Sequence, residues 1–137
     1  MLGGGTQDLG AHLLRRGMSC VAGHHRAAVW LMSCGGRDVG LAVLEERPDH
    51  LLLYSIAVTP TEQGRGHGGA LLDFADQRAA ALAVAEIRLY TNARMVDNIA
   101  FYRRHGYSET GTRPHPSRAG EMLVDMVRFV PPLVPDR

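Results

Sequence analysis

Lysine is missing from the 137-residue chain, whose 15 basic residues are all arginine. No ε-amine is therefore present, and the N-terminus is the only primary amine. Cysteine is scarce. Cys20 and Cys34 lack CxxC spacing and read as reduced thiols of a cytoplasmic protein. No charge of one sign dominates, because 14 acidic residues leave a formal net charge of +1. That balance argues against electrostatic binding of nucleic acid. The apolar stretches at Leu51–Val58 and residues 79–85 fall far short of the ~20 residues a membrane helix requires. The N-terminal stretch MLGGGTQDLGAHLLRRG has neither the basic start nor the unbroken apolar segment of a signal peptide. These absences leave one soluble domain, residues 1–137. A chain of this length buries roughly two-thirds of its unfolded surface, so it folds without a metal or disulfide staple.

What is present is periodic from residue 27 onward. Ala27–Cys34 is rich in strand formers, Gly35-Gly36 signals a hairpin, and residues 39–45 form a second strand. Arg47-Pro48-Asp49 is turn chemistry, and Leu51–Val58 is apolar at both parities, as for a strand covered on both faces. A glycine-rich stretch, residues 63–69, then opens a helix reaching about Ala83, with Leu71, Ala75, Ala79 and Leu82 on one stripe. Residues 86–91 alternate as a strand, parallel to Leu51–Val58 through a crossover. A short helix over 97–105 takes Asp97 as N-cap and Gly106 as its C′ residue. Residues 107–113 and 122–130 close the sheet as an antiparallel pair. Before residue 26, two helical turns over 9–16 and a short strand over 18–22 are the only elements suggested.

Gly64, Gly66 and Gly69 satisfy GxGxxG, so a nucleotide-binding oxidoreductase is one reading. The context opposes it. In the dinucleotide fold the glycines follow directly on a strand within a parallel unit, whereas here Pro60 and several polar residues intervene after a meander. The same residues also read as Gln63-x-x-Gly66-x-Gly68 between a strand and a long helix. A second pattern follows in Asn98-Ile-Ala-Phe-Tyr102-Arg-Arg-His-Gly106-Tyr107. With both motifs in this order, the chain resembles the GCN5-related N-acetyltransferase (GNAT) family over about residues 27–130.

The resemblance implies an α/β (α+β) fold with a mixed, mostly antiparallel sheet flanked by helices and a β-α-β acetyl-CoA unit. It implies acetyl-CoA as co-substrate, no metal, and an amine acceptor of unspecified identity. The coenzyme positions it assigns are Ile56, Ala57, Val58, Gln63, Gly64, Arg65, Gly66, His67, Gly68, Gly69 and Asn98. Physical chemistry suits this, since backbone N–H groups at a helix N-terminus form a nest for pyrophosphate. Tyr102 reads either as the acid for the departing thiolate or as a core tyrosine. Asn98 reads either as a pantetheine contact or as a first-turn helix residue. Met95 stands where some members carry an Asn, and Tyr90 where some carry a glutamate base. The base candidates left are His50, Glu45, Tyr54 and ordered water. Arg103 and Arg104 read as a solvated helix end, with a coenzyme phosphate within reach of one.

Family members usually place a first strand and two helices ahead of the hairpin, but about 25 residues precede Ala27 here. The expectation is a reduced or irregular N-terminal region over 1–25, with the acceptor side open or completed by a second subunit in a homodimer. His24-His25 does not suggest a metal, because neighbours on an extended chain point to opposite faces. Cys34 reads as a buried strand thiol. The rival within the family is a protein that binds acyl-CoA without transferring it. A melting experiment separates these readings from the oxidoreductase. Acetyl-CoA at about 100 times its Kd is expected to stabilise the fold by about 2.7 kcal/mol, while NAD and ATP leave the melting temperature unchanged. An unmoved melting temperature with acetyl-CoA would sink both family readings.

Overall fold

The computed structural model describes residues 16–24 and 26–131. Its strands are β1 (Arg16–His24), β2 (Ala27–Cys34), β3 (Arg37–Glu46), β4 (Leu51–Val58), β5 (Glu86–Asn92), β6 (Ser108–Pro114) and β7 (Met122–Phe129). Its α-helices are α1 (His67–Ala81) and α2 (Val96–Arg104). All seven strands join one sheet in the order β1-β2-β3-β4-β5-β7-β6. Every neighbouring pair is antiparallel except β4 with β5, which are parallel across α1. The expected mixed, mostly antiparallel architecture is therefore present. Gly35 and Gly36 turn β2 into β3 at φ 61° and 78°, the left-handed values that match hairpin twist.

The N-terminal expectation needs correction. Arg16 opens a strand rather than closing a helix, and the strand expected over 18–22 extends to nine residues. The cause is pairing: β1 runs along β2 from Arg16↔Cys34 to His24↔Ala27, satisfying main-chain groups that β2 would otherwise present at an edge. Residues 9–15 of the expected helix, and His25, lie outside the described residues. The register of β1 shifts between Cys20 and Ala22, and that of β6 between Glu109 and Gly111.

The core lies between one face of the sheet and the helices. Leu71, Ala75 and Ala79 of α1 are each fully buried, on the expected stripe, with Leu82 packed at its border. Cys34 is buried in β2. Gly40 lets the layers close, since a Cβ there would stand 2.7 Å from the Ala57 carbonyl oxygen and 3.3 Å from Leu71.

β4 departs from its expected covering on both faces. Leu51 and Leu53 are buried, but Tyr54, Ser55 and Ala57 are exposed. Two local facts explain this. Pairing with β5 stops after Leu51↔Ile87 and Leu52↔Arg88. The β3–β4 register then shifts, with Val43 opposite Ser55 and Leu44 opposite Leu53, so Tyr54 is the extra residue of a bulge.

Both helices end in the same way. At α2 the Tyr107 N–H donates to the Tyr102 carbonyl and the Gly106 N–H to that of Arg103, each at 3.0 Å, with Gly106 at φ 91°. This is a Schellman cap, and a Cβ at Gly106 would also meet the Arg128 guanidinium. The start of α2 is corrected by two residues: Met95, not Asp97, precedes its first residue, and no side-chain cap bond forms. Asn92 sets this start instead, its Oδ1 accepting the Arg94 N–H at 2.9 Å and its carbonyl the Met95 N–H at 2.9 Å. At α1 the Val84 N–H donates to Ala79 and the Ala83 N–H to Ala80, each at 3.1 Å. The left-handed residue there is Ala83, at φ 59°. Replacing Ala83 by glycine is expected to stabilise the fold by about 0.5–1 kcal/mol, read as a higher urea midpoint at unchanged slope. A lower midpoint would contradict the strain assigned to this residue.

Candidate active site

The glycine stretch leaves β4 through Thr59 and a 3-10 turn, Pro60–Glu62. Gly64 and Gly66 then take φ 83° and 84°, a region that residues with a Cβ rarely enter. Gly66 is the N-cap of α1, and the helix ladder begins with the Ala70 N–H donating to the Gly66 carbonyl at 3.1 Å. The amides of His67, Gly68 and Gly69 therefore stand at the helix start without partners inside it. Such amides, with the positive end of the helix dipole, attract an anion.

These residues edge a cavity of about 700 Å³. It is lined by Ile56, Ala57 and Val58 of β4, by Gln63, Gly64, Gly66, His67, Gly68 and Gly69, and by Asn98, Phe101, Tyr102 and Arg104 of α2 with its C-cap His105. Eleven of the twelve residues singled out from the sequence thus meet in one place. Arg65 is the exception: its guanidinium turns to Glu62 at 3.7 Å. His67 contributes its main chain, because its imidazole is 4% exposed and turned beneath the loop.

Gly68 and Gly69 have a second reason to be glycine. A Cβ at Gly68 would lie 3.0 Å from the Phe101 ring, and one at Gly69 would lie 3.0 Å from His105 Nε2. The two helices therefore meet across backbone. On α2 the spacing of 98, 101, 102 and 105 puts four cavity residues on one face. Phe101, Arg104 and His105 were not singled out as coenzyme positions, yet the first and last share the helical spacing of Asn98 and Tyr102. His105 is fixed by its Nδ1–H, which donates to the Phe101 carbonyl at 2.9 Å.

Tyr102 is 9% exposed, lies on the cavity wall, and its ring packs edge-on against Tyr107 at 5.7 Å. That contact joins the two residues the Schellman cap brings together, so Tyr102 is a core tyrosine that also borders the cavity. Burial raises its pKa above the ordinary phenol value, because a buried phenolate loses hydration. The hydroxyl stays protonated at neutral pH.

Above the bulge, β4 supplies main-chain groups. The Thr59 N–H donates to the Val39 carbonyl on β3 at 2.9 Å. Strand alternation then turns the N–H and C=O of Val58 and Ile56 to the opposite side, where β5 has diverged. Gln63 Nε2 donates to the Val58 carbonyl on that side at 3.4 Å.

The base candidates lie elsewhere. Leu52, Arg88 and Tyr90 line a separate cavity of about 570 Å³ together with His50. These side chains alternate with buried Leu51, Ile87 and Leu89, so this cavity opens on the other sheet face. Tyr54 meets Tyr90 edge-on at 6.2 Å. Glu45 is paired with Arg47 at 2.7 Å and His50 with Asp49 at 2.8 Å.

The model of the acetyltransferase (GNAT) domain matches residues 25–109. The chain belongs to the GNAT family. This GNAT protein matches 328 solved chains. One is the ribosomal-protein-S18-alanine N-acetyltransferase of Escherichia coli, at 18% identity and TM-score 0.74, covering 89% of this chain and 97% of that one. A GNAT acetyltransferase of Elizabethkingia anophelis, solved with acetyl-CoA bound, gives 15% identity and TM-score 0.71, covering 84% and 97%. Nourseothricin acetyltransferase gives 23% identity and TM-score 0.70, covering 77% of this chain and 66% of that one. These likenesses establish the shared fold. No curated protein matches the sequence.

The two neighbouring arginines of α2 differ in placement. Arg103 pairs with Glu109 on the surface, while Arg104 borders the cavity. Arg104→Ala is expected to weaken CoA binding by roughly three- to tenfold, an effect that shrinks at high salt. Arg103→Ala is expected to leave it unchanged. Equal effects in titration calorimetry would refute the distinction.

Proposed function

We propose that this GNAT protein transfers an acetyl group from acetyl-CoA to a primary amine by direct attack in a ternary complex. One observation carries the reading: anion-attracting loop amides, outward-turned β4 amides and a protonated buried phenol border the same cavity. Acetyl-CoA supplies an acetyl group already activated as a thioester.

The residues present divide the remaining work. The amides of residues 66–69 hold the diphosphate, with Arg104 adding charge at the rim. The N–H groups of Ile56 and Val58 face the carbonyl oxygen and stabilise negative charge as it develops there. Asn98, on the α2 face shared with Tyr102, contacts the pantetheine arm. Tyr102 Oη gives its proton to the departing sulfur. The acceptor enters from the other sheet face, through the cavity bordered by Leu52 and Tyr90, and arrives neutral or passes its proton to water.

One observation favours a second reading. Among the described residues no Asp or Glu lines the coenzyme cavity, which also suits a protein that binds acyl-CoA without transfer. Thiol release against a panel of amines decides between them, since a pure binder releases none. In the enzyme, Tyr102→Phe is expected to lower kcat by about 10²-fold or more, with KM for acetyl-CoA within about threefold. The proton donor is lost only as pH rises through the raised Tyr102 pKa, so its contribution is expected to persist beyond the pH at which an ordinary phenol ionises. Unchanged turnover in the phenylalanine variant would remove Tyr102 from this role.

A further inference from the structure

Beneath the glycine loop lies a polar cluster with no place in the transfer step described above. Glu62 and His67 are the buried polar residues of the described chain, at 7% and 4% exposure. His67 Nε2 lies 3.2 Å from Glu62 Oε1. On its other side, Nδ1 accepts from Arg16 Nε at 2.9 Å. Since arginine only donates, Nδ1 carries no proton, and the imidazole is the neutral Nε2–H form donating to Glu62. Arg16 also donates through Nη2 to the Arg65 carbonyl at 3.2 Å. Glu62 Oε2 in turn meets Arg37 Nη2 at 3.2 Å.

The chain of contacts starts on β1, passes through the first residue of α1, and returns to β3 across the 3-10 turn. It grips the loop at Glu62, Arg65 and His67, which bracket Gly64 and Gly66. Those two glycines have no side chains with which to hold their own left-handed conformations. Two guanidinium groups, of Arg37 and Arg65, pair with the Glu62 carboxylate, and that of Arg16 lies across the imidazole from it. The surplus positive charge also favours an anion above the loop.

We infer that His67 is a positioning residue for the coenzyme: its imidazole, locked between Arg16 and Glu62, holds the amides of residues 66–69 in the arrangement that receives the diphosphate. This rests on the acetyl-CoA reading of the cavity. Replacing His67 by leucine keeps the volume but removes both contacts, taking one hydrogen bond from the buried Glu62 carboxylate and one from the Arg16 guanidinium. Glutamine retains one donor and one acceptor on a similar reach.

The test is titration calorimetry with CoA on the full chain, wild type against His67→Leu, His67→Gln and Arg16→Ala, with cooperative melting verified for each. His67→Leu and Arg16→Ala are expected to weaken CoA binding by about tenfold, and His67→Gln to remain within about threefold of wild type. With an active acceptor, the loss is expected in KM for acetyl-CoA and not in kcat. Should the leucine variant fail to fold, Arg16→Ala alone decides. Affinities equal to wild type in His67→Leu or Arg16→Ala would overturn the inference while leaving the coenzyme reading intact. Absent CoA binding by the wild type would instead remove the coenzyme reading beneath it.

Discussion

Two residue pairs, Leu51 with Ile87 and Leu52 with Arg88, make up the whole main-chain ladder between β4 and β5. The site depends on how early that ladder stops. A sheet zipped to its end would satisfy every main-chain group of β4 and leave no opening between its halves. Here the bulge at Tyr54 turns β4 away at the point where pairing ends, and the strand beyond it offers N–H groups to whatever enters. Stability is not surrendered in exchange, because Leu51, Leu53, Ile87 and Leu89 remain sealed under α1. The division is sharp: the lower half of the strand pair serves the core and the upper half serves chemistry.

The helices complete the opening, one by its end and the other by a side face. α1 presents its N-terminus, with Gly66 as cap, and α2 presents the face bearing Asn98, Phe101, Tyr102 and His105. The Tyr102…Gly106-Tyr107 pattern has a mechanical explanation in the cap, whose hydrogen bonds bring the two tyrosine rings edge to face. A motif first noticed as a family likeness is thus also the solution to ending a short helix.

Much of this was legible in residue order. Three strands separated by Gly35-Gly36 and Pro48, the Leu71–Ala75–Ala79 stripe, and the crossover to β5 follow from periodicity and turn chemistry. Cavity membership of the glycine loop and Tyr102 was legible because glycines and a tyrosine recur at telling intervals. The bulge was not, since Leu51–Val58 reads as apolar at both parities and only its partners reveal the extra residue. β1 was legible only as a short strand over 18–22; Gly17, Ser19 and Gly23 carry little strand preference, and its full length follows from pairing with β2. The placement of Arg65 off the cavity wall has an electrostatic reason, as its guanidinium faces the nearby Glu62 carboxylate. The role of Gly68 and Gly69 in admitting Phe101 and His105 depends on contacts between distant segments.

The outer strands of the sheet share one irregularity. β1 breaks register near Val21 and β6 near Thr110, so neither border presents an unbroken row of donors and acceptors. β6 adds charge and a proline, with Arg113 and Pro114 at its end. A neighbouring molecule seeking to add a strand would find its ladder interrupted within a few residues on either side. The sheet is thereby finite by construction, protected against edge-to-edge growth when the protein is crowded.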